Sequence, residues 1–204
     1  VQTLSLQARS EGLDDPRVDV DLDVEGLDAG GQRVETLAAT LGGRLSQHTL
    51  TLDAELGMGM PVSRAGLTLE GDYDRTAQRY RGVLAPLDLA TEYGDISLED
   101  DLNVTADLAV GQVTLAPFCL TREQGGRACL TERARLSAAQ GEAALALRDI
   151  PMDMFADRLP SGWRMGGETQ GETTLRWRNG GQDWNAEGQL DSQLTVTGED
   201  ARGN

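Results

Sequence analysis

At 204 residues the chain suits one domain or one section of a repetitive β structure, and its composition, 39% hydrophobic with only 4% aromatic, builds any apolar surface from Leu, Val and Ala. The 34 acidic residues against 18 basic ones give a formal charge of −16, and every basic residue is Arg. That balance argues against nucleic acid, because counterion release needs a basic footprint. It also argues against adsorption to an anionic bilayer, and its plain meaning is a well-solvated outer face.

The opening VQTLSLQARS lacks the basic start and apolar run of a signal peptide, and no apolar run is long enough for a membrane-spanning helix. The chain begins without Met inside an apparent strand and ends in EDARGN, so a piece of a longer protein is expected. Leu4, Leu6 and Ala8 share one face of the first strand. In VDVDLDVEG, Val18, Val20, Leu22 and Val24 alternate with Asp19, Asp21, Asp23 and Glu25, the period of a half-buried strand. Calcium wants oxygens converging from a tight loop, whereas carboxylates along an extended strand diverge, so no metal site is assigned.

After an Ala29-Gly30-Gly31 turn, QRVETLAATL is less regular, and GRLSQHTLTLDAEL restores the alternation with His48, Leu50, Leu52, Ala54 and Leu56 in phase. The single His lies on the apolar side without a nucleophile motif, so it is assigned a structural role. Met58 and Met60 are flexible filler rather than copper ligands. Leu67, Leu69, Gly71 and Tyr73 follow on one face, then Val83, Ala85, Leu87 and Leu89, with Pro86 marking an edge or bulge.

LNVTADLAV places Leu102, Val104, Ala106, Leu108 and Val110 in alternation, and VTLAPFCL adds Leu115. Cys119 and Cys129 lie symmetrically about Gln124, with Gly125-Gly126 offering the loop conformations a hairpin needs. In that register the cysteines face each other at a separation a disulfide spans, which predicts oxidising surroundings. ERARLSAAQGEAALALRDI continues as strands. PMDMFADRLP, bracketed by Pro151 and Pro160 with Met152, Phe155 and Leu159 at helical spacing, predicts one short helix near 151–159. The remainder returns to strands, with Trp163, Trp177 and Trp184 at the helix or along the sheet rim.

The expected fold is therefore all-β, an antiparallel meander in a single segment, 1–204, with one apolar face and no βαβ layout. A second sheet, closure into a barrel, or a trough holding acyl chains would each cover that face. GRLSQHTLTL, RYRGVLAPLDL, APFCL with ACL, IPMDMFADRLP and MGGETQGETTLRW, in this order from Gly43 to Trp177, resemble the TamB family. The resemblance implies an AsmA-like, bridge-type lipid transfer protein, anchored in the inner membrane and spanning the periplasm. Such a protein meets a TamA-type outer-membrane barrel at a C-terminal part beyond this chain. It implies an elongated, curled, taco-like antiparallel sheet with an apolar concave face, serving phospholipid movement between the membranes and outer-membrane protein assembly.

On that reading acyl chains lie along Leu50, Leu52, Leu67, Leu69, Val83, Leu87, Leu102, Val104, Leu108 and Leu115. The cut edges of such a segment invite self-association. A chaperone-like surface for outer-membrane β-strands and a closed structural sandwich remain the alternatives. No catalytic residue and no cofactor is assigned: the carboxylates sit in alternating or turn positions, with no paired partner and no phosphate-cradling loop.

Overall fold

A computed structural model describes residues 1–29, 32–58 and 60–198. The strands are β1 (Thr3–Glu11), β2 (Arg17–Ala29), β3 (Gln32–Arg44), β4 (Gln47–Leu56), β5 (Val62–Asp74), β6 (Arg79–Thr91), β7 (Gly94–Leu98), β8 (Leu102–Asp107), β9 (Gln112–Leu115), β10 (Phe118–Arg122), β11 (Arg127–Leu130), β12 (Ala134–Ser137), β13 (Gly141–Pro151), β14 (Trp163–Arg178) and β15 (Asp183–Gly198). All belong to one antiparallel sheet, which curls into a partial ring. The expected Gly30-Gly31 turn lies outside the described residues.

The topology is simpler than its fifteen strands suggest. β6 pairs β8 along its first half and β7 along its second, and β13 pairs β12 and β11 in the same way. Hence β7 with β8, β9 with β10 and β11 with β12 are single passes of an up-and-down meander, each broken once. The breaks fall side by side at 99–101, 116–117 and 131–133, forming a transverse seam. Pro117 has no donor to give the ladder there. Glu99 N to Cys119 O (2.9 Å), Ala116 N to Asn103 O (3.0 Å) and Thr131 N to Ala144 O (2.9 Å) carry the hydrogen bonding across it.

What core there is gathers at this seam. Leu102, Leu130, Ala134 and Ala146 are buried there, joined elsewhere only by Val24 and Ala54 among the described apolar residues. No described side chain is fully enclosed. A single sheet carries one apolar side, and nothing in the described residues forms a second sheet to seal it.

Bulges correct the phase read from the sequence. The irregular QRVETLAATL contains one between Val34 and Thr36 against β4. A second lies in β6, where Leu69 opposes Leu84 but Leu67 opposes Leu87, setting Ala85-Pro86 against the single Thr68, one residue in excess. Val83 therefore opposes Glu70 and Asn103 on the polar face, and Leu84 takes the place expected for it. Leu108 and Val110 also leave the expected alternation. β8 stops at Asp107, and both residues lie in the turn to β9, 58% and 70% exposed.

The short helix is present as a 3-10 helix, Met152–Arg158, with Pro151 as the last residue of β13 and as its N-cap. The cysteines form the expected bond: Cys119 opposes Cys129 and their sulfurs are 2.07 Å apart. Gly125 and Gly126 both hold positive φ, 96° and 99°, in the loop between them. Closing a loop of this length stabilises the fold by about 2–3 kcal/mol on the chain-entropy model. Urea unfolding with and without reductant checks this: the reduced chain should unfold at lower urea, and coincident curves would refute it.

Candidate functional site

Strand pairing places opposed residues on the same face, so the register gives the composition of each face directly. Across β1 to β8 one row reads Ala8, Val20, Leu41, Leu50, Leu69, Leu84, Leu102. Its neighbour runs Leu6, Leu22, Ala39, Leu52, Leu67, Leu87. Beyond the seam, Leu98, Leu120, Ala128 and Leu147 continue the face through β7, β10, β11 and β13. Val104, Leu115 and Ala134 do so through β8, β9 and β12. These rows run across the strands, stepping about 4.8 Å from one strand to the next.

The structure thus brings Leu50, Leu52, Leu67, Leu69, Leu87, Leu102, Val104 and Leu115 onto one continuous apolar face. It places Val83 on the other face and Leu108 in a turn. Of those eight, Leu102 is buried and the other seven are half-buried, whereas Leu6 and Ala8 of β1 and Ala128 and Leu147 beyond the seam are exposed. Leu84, Leu98, Leu120 and Leu145 belong to the same surface and were not singled out from the sequence. The Pro86 bulge signal could have found Leu84, because a bulge shifts the phase of the strand.

Aromatic groups lie along one margin of this face. His48 sits beside Tyr80, ring centroids 5.5 Å apart, and its Nδ1 lies 3.2 Å from the Arg44 carbonyl, in keeping with a structural role. Tyr80 lies across Gly71 and Gly82, where a Cβ would meet its ring. Burial, helped by the nearby Asp72 charge, pushes its phenol pKa up. Trp177 covers Gly141 in the same fashion and donates its Nε1 hydrogen to the Ser137 carbonyl (3.3 Å). Trp163 and Trp184 are exposed, 50% and 71%, at opposite ends of the β14–β15 hairpin.

The opposite face is polar and cross-linked by charge. Arg81 forks onto Asp72 (2.9 Å at Nη2), Arg148 meets Glu172 (2.7 Å), Arg176 meets Glu142 (2.8 Å) and Arg127 meets Glu99 (2.8 Å). The first three join neighbouring strands and the last reaches across β10, while water screens them all, so they set register more than stability. The disulfide lies on this face, since Cys119 and Cys129 alternate with Leu120, Ala128 and Leu130 of the apolar one. Among the described residues no cluster of His, Cys, Asp or Glu has the makings of a metal site. No helix there is long and apolar enough to cross a membrane.

At the strand ends opposite the 3-10 helix, loops are stitched together. Asp15 accepts from Ser46 N (2.9 Å) and Ser46 Oγ (2.7 Å), and Arg75 Nη1 donates to the Leu13 carbonyl (3.1 Å). The Ser46 bonds hold the Asp15 carboxyl below its ordinary value of 3.8. A carboxyl depressed on folding stabilises above its unfolded pKa and loses that contribution as pH falls through the folded value. The Asp15→Asn variant should therefore fall short of the parent at neutral pH, and the gap should close as pH falls through the lowered folded value. Thermal unfolding across that range checks it: a gap independent of pH would refute the assignment.

A family model described as TamB, N-terminal domain, matches residues 1–202. It takes in the first forty residues, which by themselves read only as generic strands. No solved structure matches the chain.

Proposed function

The chain belongs to the TamB family, and on that premise we propose that its sheet is one segment of a periplasmic conduit for phospholipid acyl chains. The observation that carries this reading is the apolar face itself: continuous in register from β1 to β13, half-buried or buried through β2 to β10, and covered by no second sheet of the described residues. Half-burial without a covering layer supports a sheet curled toward this face, with the apolar side concave.

Each methylene removed from water contributes about 0.8 kcal/mol. An acyl chain lying on repeated rows of Leu and Val gains that at every position alike, so it is held without being fixed and can slide. Such a task calls for no catalytic group. The polar face, with its carboxylates and paired Arg side chains, keeps the outside of the conduit in water. On this reading the protein is anchored in the inner membrane, with a TamA-type barrel as its partner at the outer membrane. The same reading connects the conduit to outer-membrane protein assembly.

The test is site-specific photocrosslinking in cells. A photoreactive residue at Leu50 should capture lipid, and one at Thr49, on the other face of the same strand, should not. Equal labelling at both sites would sink the conduit.

A second reading has one observation in its favour. Among the described residues β15 pairs only β14, and every one of its residues is exposed, so its outer edge offers them an open hydrogen-bonding ladder. A chaperone-like role would use that edge to pair with unfolded outer-membrane strands, and a second copy of the chain would use it to self-associate. Crosslinks from β15 to polypeptide rather than lipid would favour these over the conduit.

A further inference from the structure

The chain has five methionines, and all stand at one end of the sheet. Met58 and Met60 lie in the β4–β5 loop, Met152 and Met154 in the 3-10 helix between β13 and β14, and Met165 just inside β14, which starts at that end. The pieces form a connected row. Glu92 N, in the β6–β7 turn, donates to the Pro61 carbonyl (3.3 Å). The neighbouring Tyr93 ring meets Phe155 of the helix, centroids 5.8 Å apart. Arg158 Nη2 donates to Glu92 Oε1 and lies 3.3 Å from the Tyr93 hydroxyl.

The helix crosses this end as a strap. Its seven residues, at about 2 Å each, cover roughly the 14 Å of three strand spacings. That is the separation between β13, where it starts, and β7, whose turn it reaches past β11 and β10. It has no side-chain cap at its N-terminus and no buried residue, so apart from its packing beside β14, into which it leads, its hold across this end rests on the Phe155 ring and the exposed Arg158 pair. Elements tied this lightly open locally.

The apolar face also ends here on a cation. Arg122 opposes Ile96, and bulges aside it is the one charged residue in register with that face among the described residues. Its Nε donates to the Tyr93 carbonyl and its Nη1 to those of Gln124 and Gly125.

We propose that this end is the side through which the acyl chains of phosphate-bearing lipids pass on and off the apolar face, with the 3-10 helix as a reversible strap across it. The proposal rests on the conduit reading and adds the place of entry. Unbranched, flexible Met side chains adapt to a moving hydrocarbon chain better than branched ones. Opening frees Arg158 from Glu92, beside Arg122, where both cations meet a headgroup phosphate by charge-assisted hydrogen bonds.

Two measurements on the full-length protein test it. In hydrogen exchange, Phe155→Ala should speed exchange across 152–159 about tenfold and leave β4 and β5 unchanged; an unaltered rate overturns the strap. In the second, a phosphatidylethanolamine analogue with a photoreactive acyl chain is scored for capture on β10. Tyr93→Cys with Phe155→Cys, joined by a short bis-maleimide that the bonded native cysteines cannot take, should cut capture at least tenfold relative to the unjoined pair. Equal capture by joined and unjoined forms overturns the entry side alone. Absence of capture in wild type and every variant overturns the conduit reading and this proposal with it.

Discussion

Leu52→Glu is expected to abolish acyl-chain capture while the sheet stays folded, and Thr51→Glu, one residue away, to change neither. Leu52 lies between Ala39 and Leu67 in the middle of an apolar row, whereas Thr51 opposes Thr40 and Thr68 on the polar face. A carboxylate among Leu side chains must keep its water, and the hydration it holds occupies the surface a hydrocarbon chain would cover. Removing contact with a few methylenes at about 0.8 kcal/mol each already lowers affinity by tenfold or more. The fold tolerates the change because Leu52 is only half-buried and no second sheet of the described residues closes over it. Photoreactive lipid labelling reads the first effect and circular dichroism the second. Retained labelling in Leu52→Glu would show that acyl chains do not use this face.

Gly167→Ala should carry the largest stability loss of any single methyl addition in the β14–β15 hairpin. Gly167 holds φ at +105°, where an L side chain is strained. Its added Cβ would fall within contact distance of the Gln193 carbonyl oxygen and 2.9 Å from the carbonyl carbon. Backbone on the opposing strand cannot step aside as a side-chain tip does. A loss of about 3 kcal/mol is expected from strain and clash together. Because β15 pairs only β14 among the described residues, the loss should be local: amide exchange rises through 163–198 and stays unchanged in β4, β5 and β6. Exchange that matches the parent in both regions would contradict the backbone geometry assigned to Gly167.

Several features were legible in the residues. The Val-Asp alternation of β2, the in-phase series from His48 to Leu56 and the symmetric cysteines each depend on neighbours within a strand or one hairpin, and all appear as expected. The bracketing prolines marked the helix, although it winds as 3-10 rather than α and buries nothing. The pieces resembling TamB pointed to the family whose model covers the chain.

Val83 and Leu108 show where local periodicity stopped. A strand's alternation states which residues share a face only until an extra residue enters, and whether one has entered depends on the partner strand. Ala85-Pro86 form a bulge because β5 sets Leu69 against Leu84 and Leu67 against Leu87. That exchange sends Val83 outward and Leu84 inward. Leu108 kept the apolar rhythm of β8, but the chain had to reverse there so that β9 could pair back.

By itself, then, the sequence determined the antiparallel strands, their apolar side, the disulfide and the family, because each is written in spacings of a few residues. Only the tertiary structure decided the seam through three neighbouring passes, the shifts of phase at the bulges and the gathering of every methionine at one end. Those follow from which strands lie side by side and which way each runs, and that information is held by the pairing between segments rather than by any one of them.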